Sequence, residues 1–303
     1  MSKNKKKASD IVFTAVLVLL MLIGIAVFLY PSFSSWWNER TQTRVIESYN
    51  KAVGELDTSE KDGILAMAGE YNAALAALSD PLSDYGQIPD YDSILDVTGT
   101  GIMGYIDIPK ISVHLPVYHG TSPEVLNVAV GHLQGSSLPI GGTETHSVIS
   151  AHRGLPSAKL FTELDRLTED DRFSITILDE VLTYEIDQIS VVLPYERDLL
   201  RAEPDRDLVT LMTCTPYGIN THRLLVRGHR IDDIPEEDET VRKIRIPPDA
   251  VLVDDTDSLL VITVPLAVML IAFWLTGGRR REKKHISDYS VMEITDIKDG
   301  EKK

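Results

Sequence analysis

The residues able to do chemistry concentrate in LVTLMTCTPYGINTHRLLVRGHR, residues 208–230, which holds the single cysteine of the chain, Cys214. Residues 210–214 read as a strand that ends at the turn Thr215-Pro216-Tyr217-Gly218, and residues 222–230 read as the strand returning. A hairpin of this kind carries Arg223 back toward Cys214. A guanidinium beside a thiol stabilises the thiolate, and later the oxyanion of a tetrahedral intermediate. A cysteine nucleophile also needs a group that takes up a proton and returns it to a leaving amine, and histidine is the usual one.

Eight histidines are available. His285 lies beyond the last apolar stretch. His114, His119, His132 and His229 fall near turns or on exposed strand faces with no evident partner, and His222 is expected on the face opposite Arg223. His152 differs: it follows the apolar run 147–151 and precedes Arg153-Gly154, a strand-end position open to a cleft. A lone cysteine has three uses, as an intermolecular bridge, a buried structural thiol or a reactive group. Zinc is not expected, since the chain has neither H-E-x-x-H nor a paired C-x-x-C.

The elements that must position these residues follow from periodicity. Between residues 101 and 231 the runs GYIDIP, SVHLPVY, HSVISA, RFSITIL, TYEIDQISVVLP, LVTLMTC and HRLLVRGHRI alternate with period two and are separated by turn residues. Many short strands in so little chain predict a mainly β barrel or sandwich, with short helical pieces at 123–130 and 158–164. Ahead of it, Val45, Ile46, Tyr49, Ala52 and Val53 share one helical face. Ile64, Ala68, Tyr71, Leu75 and Leu78 repeat the spacing after a turn at residues 57–59, and Pro81 stops the second helix.

Two apolar stretches flank this region. Residues 11–30 run twenty residues without a charge, and residues 259–275 run seventeen with Pro265 inside; both read as membrane spans. Lys3, Lys5, Lys6 and Lys7 precede the first, and Arg279, Arg280, Arg281, Lys283 and Lys284 follow the second. Positive charge collects on the cytoplasmic side, so both termini are expected inside and residues 31–258 outside, with Trp36, Trp37 and Trp274 as interfacial anchors. A cleaved signal peptide would have a shorter apolar region and an A-x-A-like site, which does not follow Tyr30. Residues 31–258 carry 39 acidic and 18 basic side chains, which argues against a nucleic-acid partner.

TLMTC (210–214) with Arg223 on the next strand resembles the sortase signature, and SVISAHRG (147–154) resembles the segment bearing the sortase histidine. The likeness covers most of residues 101–231. It is similar to class C sortases, the pilin polymerases of Gram-positive bacteria, to which a second span and extra N-terminal helices also belong. The resemblance implies an eight-stranded barrel, with Cys214 as nucleophile, His152 as acid and base, and Arg223 as stabiliser of the transition state. Thr213, beside the nucleophile, is expected to contact substrate. The implied reaction cleaves a Leu-Pro-x-Thr-Gly-like (LPxTG-like) sorting signal between Thr and Gly through a thioester, and a pilin lysine resolves it as an isopeptide bond. No metal or organic cofactor is required.

Two departures stand out. Ala151 occupies a position where related sequences often have glycine. The class C lid carries Asp-Pro-aromatic, its aspartate on the catalytic arginine and its ring over the cysteine; here the residues are Asp80, Pro81 and Leu82, with Tyr85 as the alternative cover. Residues 79–87 are the expected lid, with Asp80 on Arg223. The expected organisation is thus a cytoplasmic N-terminus (1–10), a span (11–30), a helical segment (31–95), the catalytic barrel (96–232), an acidic linker (233–258), a span (259–275) and a cytoplasmic tail (276–303). The rival readings are a housekeeping sortase that attaches surface proteins to peptidoglycan, and a non-catalytic membrane-tethered binding scaffold.

Overall fold

Alternating apolar residues give each strand one face for a core and one for solvent, and here those faces close on themselves. The strands are β1 Ile102–Ile108, β2 Val113–His119, β3 Val130–His132, β4 Thr145–Ser150, β5 Arg172–Ile177, β6 Glu180–Val192, β7 Asp207–Thr215 and β8 His222–Arg230. In the computed structural model, which describes residues 2–231, they form a closed barrel in the order β1-β2-β3-β4-β7-β8-β6-β5. Neighbours pair antiparallel except β2 with β3 and β4 with β7, which run parallel. Seven strands correspond to the alternating runs. The eighth, β3, has three residues, too few to display a period. The expected linker, second span and C-terminal tail lie outside the described residues.

Inward-facing side chains of β7 and β8, Val209, Leu211, Leu224 and Val226, join Ile106, Ile149, Phe173 and Ile175 in the barrel core. Full burial of each such side chain is worth roughly 1.5–3 kcal/mol. The next residues along, Met212 and Leu225, face outward and join Val148, Leu200 and Leu82 in a second, smaller cluster.

Ahead of the barrel, α1 (Ser2–Glu55) is continuous through Pro31. The apolar stretch and the amphipathic face of residues 45–53 thus belong to one helix. The apolar stretch of α1 has a mean hydropathy of 2.5 and none of it is buried in the protein; Leu19, Leu20, Val27 and Phe28 are all more than half exposed. By length and composition the stretch is a candidate membrane anchor. Phe33, Trp36 and Trp37 cluster just beyond it, with ring centroids 5.9–6.4 Å apart.

The last turns of α1 dock on the barrel. Asn38 and Gln42 donate to the carbonyls of Ser157 and Val128 at 2.6 and 2.7 Å. Tyr49 is fully buried; its hydroxyl donates to the Met103 carbonyl at 2.9 Å and accepts from the Leu178 N–H at 2.8 Å. Burial pushes that phenol up to about 12. The second helix, α2 (Thr58–Ala76), starts at a capping box in which Asp57 accepts from the Glu60 N–H and Glu60 accepts from the Asp57 N–H, a device worth about 1 kcal/mol. It buries Ala68, Tyr71 and Leu75 as its periodicity predicts, and also Asn72. The Asn72 amide makes two bonds to the Leu138 backbone, so the polar group is satisfied inside. Two one-turn helices follow, α3 (Pro81–Asp84) and α4 (Pro123–Leu126). The piece expected at 158–164 is a series of turns ending in a 3-10 turn, Leu164–Arg166.

Candidate active site

Cys214 and Arg223 are register partners on the antiparallel pair β7–β8. Register partners share a face, so the thiol and the guanidinium project on the same side, the outer one, as Met212 and Leu225 do two residues along. Cys214 is a free, half-buried thiol. On its other side Arg223 pairs with Val192 of β6. The guanidinium donates to the carbonyl of His222 at 3.2 Å, and among the described residues it has no carboxylate partner.

The parallel pair β4–β7 brings in the histidine. Its register runs from Thr145 with Asp207 to Ser150 with Met212. Two side-chain bonds prolong it past the end of β4 at the same offset. The Thr213 hydroxyl donates to the Ala151 carbonyl at 2.8 Å, and the Arg153 guanidinium donates to the Thr215 hydroxyl at 3.1 Å. His152 lies between Ala151 and Arg153, as Cys214 lies between Thr213 and Thr215. The positions of Cys214, Arg223 and His152 therefore fall at one end of three adjacent strands. Thr213, expected to contact substrate, is 1% exposed, and its hydroxyl faces the core side and donates to the Ala151 carbonyl of the histidine segment.

Beside these residues the outer face of the barrel carries a groove of about 190 Å³. Leu82, Leu133, Val192, Leu200, Met212 and Leu225 supply its apolar lining, with Arg197 and Arg223 among its polar residues. Leu82, from α3, is the residue of the segment 79–87 that lines it. The contact is close: Gly135, at φ +88°, has no room for a Cβ, which would sit 2.7 Å from the Pro81 carbonyl and 2.8 Å from the Leu82 Cα. Tyr85 packs against the rim of the barrel core, also beside Gly135. The expected Asp80–Arg223 pair is absent. Asp80 lies 3.4 Å from Arg197, and Ser83 donates to Asp80 at 2.8 Å while accepting from Arg197 at 2.9 Å. Arg197 sits in the β6–β7 loop and lines the groove beside Leu82. Further along that loop, Glu203 accepts from Arg227 of β8, which also bonds Asp187 of β6, and the Arg206 hydrogen bond holds the Glu203 carboxyl below its usual range.

Sequence reading missed His132. It is fully buried; its Nε2–H donates to the Ser137 carbonyl at 2.8 Å and its Nδ1 meets the Tyr91 hydroxyl at 2.9 Å. Burial lowers its pKa to about 4, and the hydroxyl of Tyr91 is pushed up by the same cause. His132 thereby fixes the loop 133–137 on which α3 rests. His119 is buried too, both ring nitrogens facing carbonyls, and His114 pairs with Asp107 at 2.6 Å. Their partners lie up to 41 residues away, beyond any local signal. Among the described residues no three His, Cys, Asp or Glu side chains gather as a metal site.

The chain is similar to known proteins of one family. The Sortase domain family matches residues 106–231. Sortase C1 from Streptococcus agalactiae is 46% identical in its crystal structure, with 63% of this chain and 100% of that one covered and a TM-score of 0.57. Sortase C from Clostridium perfringens, in an X-ray structure with the C-terminal cell wall sorting motif, is 42% identical, with 63% and 100% covered and a TM-score of 0.55. Among curated proteins, Sortase A of Streptococcus agalactiae is 27% identical over 147 residues, which is 47% of this chain and 59% of that protein. The chain thus spans about three fifths of the length of that curated relative.

Proposed function

The chain belongs to the sortase family, and from that premise we propose that it is a membrane-anchored cysteine transpeptidase that joins pilin subunits. The register pairing of Cys214 with Arg223, with the His152 segment tied alongside, carries this reading. The Cys214 thiolate attacks the Thr–Gly carbonyl of an LPxTG-like sorting signal. The carbonyl electrons move to oxygen, where the Arg223 fork of N–H donors meets the developing charge. Collapse breaks the C–N bond, and His152 delivers a proton to the departing glycine amine. The acyl group is left on sulfur as a thioester. A lysine ε-amine of a neighbouring pilin attacks it, His152 takes the amine proton, and the isopeptide bond forms as the thiolate leaves. The groove beside Cys214, apolar with Arg197 and Arg223 in its lining, suits an extended Leu-Pro segment.

The higher identity to sortase C structures than to Sortase A favours pilin joining over attachment to peptidoglycan. Incubating the full chain with a sorting-signal peptide and candidate lysine-bearing pilins from the same cell, then identifying products by mass spectrometry, tests it. A Cys214 thioester resolved by a pilin lysine is the expected result. Products on peptidoglycan amines would point to the housekeeping role, and absence of any thioester to a binding scaffold. The charge flanks favour residues 31–258 outside the cell with both termini inside. Protease added to intact protoplasts should remove the barrel and spare tags at both ends; loss of the C-terminal tag at the same rate would overturn that topology.

A further inference from the structure

The two bonds that prolong the β4–β7 register differ in kind. Thr213 to Ala151 lies in the wall of the core. Arg153 to Thr215 lies past the last paired residues, where nothing in the ladder holds the chains together. The Arg153 side chain is only 9% exposed, a position a guanidinium tolerates when it is paired. It donates to Thr215 at 3.1 Å and to Asp165 at 2.6 Å, and its carbon lies 5.9 Å from the centre of the Tyr217 ring. Gly154 makes room for that ring: at φ +76°, a Cβ there would come within 2.7 Å of it. One buried side chain therefore ties the segment carrying His152, the turn leaving Cys214 and the segment carrying Asp165.

Resting on the transpeptidase reading, we propose that Arg153 is a positioning residue of the reaction, clamping the His152 segment to the Cys214 turn through Thr215 and Tyr217. It touches neither reacting atom. Proton exchange between histidine and the reacting groups requires approach to about 2.6–3.2 Å, and a misplacement of about 1 Å costs on the order of 10²-fold in rate. None of Arg153, Thr215 or Tyr217 lines the groove beside Cys214, so the clamp acts on turnover and leaves binding in place.

The test uses the full chain in detergent with Arg153→Met, Thr215→Val, both together, and Arg153→Lys. Arg153→Met should lower kcat toward a sorting-signal peptide by about 10²-fold, with KM within about twofold and an unfolding midpoint close to the parent. The double variant should be no worse than Arg153→Met, because both changes remove one tie. Lysine should recover part of the rate, since one ammonium reaches Thr215 or Asp165 but lacks the fork to hold both. A second readout needs no peptide: the pH profile of Cys214 alkylation by iodoacetamide. The parent and His152→Ala profiles should differ, and Arg153→Met should follow His152→Ala. Parent-like kcat in Arg153→Met, a loss expressed in KM, or an alkylation profile that superimposes on the parent overturns the clamp, as does identity of the parent and His152→Ala profiles. Should Arg153→Met misfold, Thr215→Val and Tyr217→Ala carry the same comparisons. If the parent cleaves no sorting-signal peptide, the transpeptidase reading fails while the alkylation profiles still decide the clamp.

Discussion

Asp80 and Arg197 lie 3.4 Å apart, with the Ser83 hydroxyl bonded to both. The pair joins the start of α3 to the β6–β7 loop above the groove that contains Leu82 and Arg223. Both partners are more than a third exposed, so the pair contributes at most about 1 kcal/mol. Leu82, partly buried against Val148, Leu200 and Leu225, adds on the order of 1–2 kcal/mol. If the segment 79–87 acts as a cover, ties this weak would let it open readily, and the pair with Arg197 leaves Arg223 without a competing carboxylate.

Asp80→Ala and Arg197→Ala should therefore each speed alkylation of Cys214 by a small thiol reagent about 2–5-fold, the range expected from losing a surface pair. The double variant should be no faster than either. Leu82→Trp, with more apolar surface to place in the groove, should slow the reaction. Rates measured at fixed pH decide this; a silent Arg197→Ala would mean that the ion pair does not hold the lid.

Gly135→Ala should open the same cover from beneath. The added Cβ meets the backbone of Pro81 and Leu82 below 3 Å, and backbone cannot step aside as a side-chain end can. The positive φ adds roughly 1 kcal/mol of strain. Faster Cys214 alkylation with a modest drop in unfolding midpoint is expected. Unchanged labelling would show that the lid yields without exposing the thiol.

For the reacting residues, Cys214→Ala should abolish both thioester and product. His152→Ala and Arg223→Ala should each reduce kcat/KM by about 10²–10³-fold or more, since activation and oxyanion stabilisation are separate contributions. Arg223→Lys should recover only part, a point charge lacking the guanidinium geometry. Steady-state cleavage of a sorting-signal peptide measures all four, and normal turnover by Cys214→Ala would remove the assignment.

His132 gives stability a pH dependence. Its folded pKa, about 4, is below the value of about 6.5 expected in the unfolded chain. Between those values the unfolded state binds the extra proton, so stability is fully present above about pH 6.5 and is lost as pH falls through 4. The full loss is on the order of 3 kcal/mol. His146, also buried and shifted down by burial, acts with the same sign. Unfolding midpoints of the detergent-solubilised protein at pH 7 and pH 5 should differ, and His132→Gln should narrow the gap. An equal gap in the variant would place the acid sensitivity elsewhere.

Much of this architecture is local and was legible in the chain. Alternation marked seven strands because each strand buries one face, and the length and composition of the apolar run of α1 marked it as a candidate membrane anchor. Cys214 with Arg223 was legible because a short turn joins the two strands, so hairpin register follows from loop length. His152 was suggested by its place at a strand end. What joined it to Cys214 was a parallel pairing at an offset of 62 residues, fixed by Thr213 on Ala151 and Arg153 on Thr215. Parallel register leaves no turn to read. The partner of Asp80 was decided the same way. Charge carries no address along a chain: Arg197 and Arg223 are both more than a hundred residues from Asp80, and only the path of the β6–β7 loop brings one of them within reach. His132 and Asn72 were hidden for a related reason. A polar side chain is buried only when distant backbone supplies its hydrogen bonds, and those partners come from tertiary structure alone.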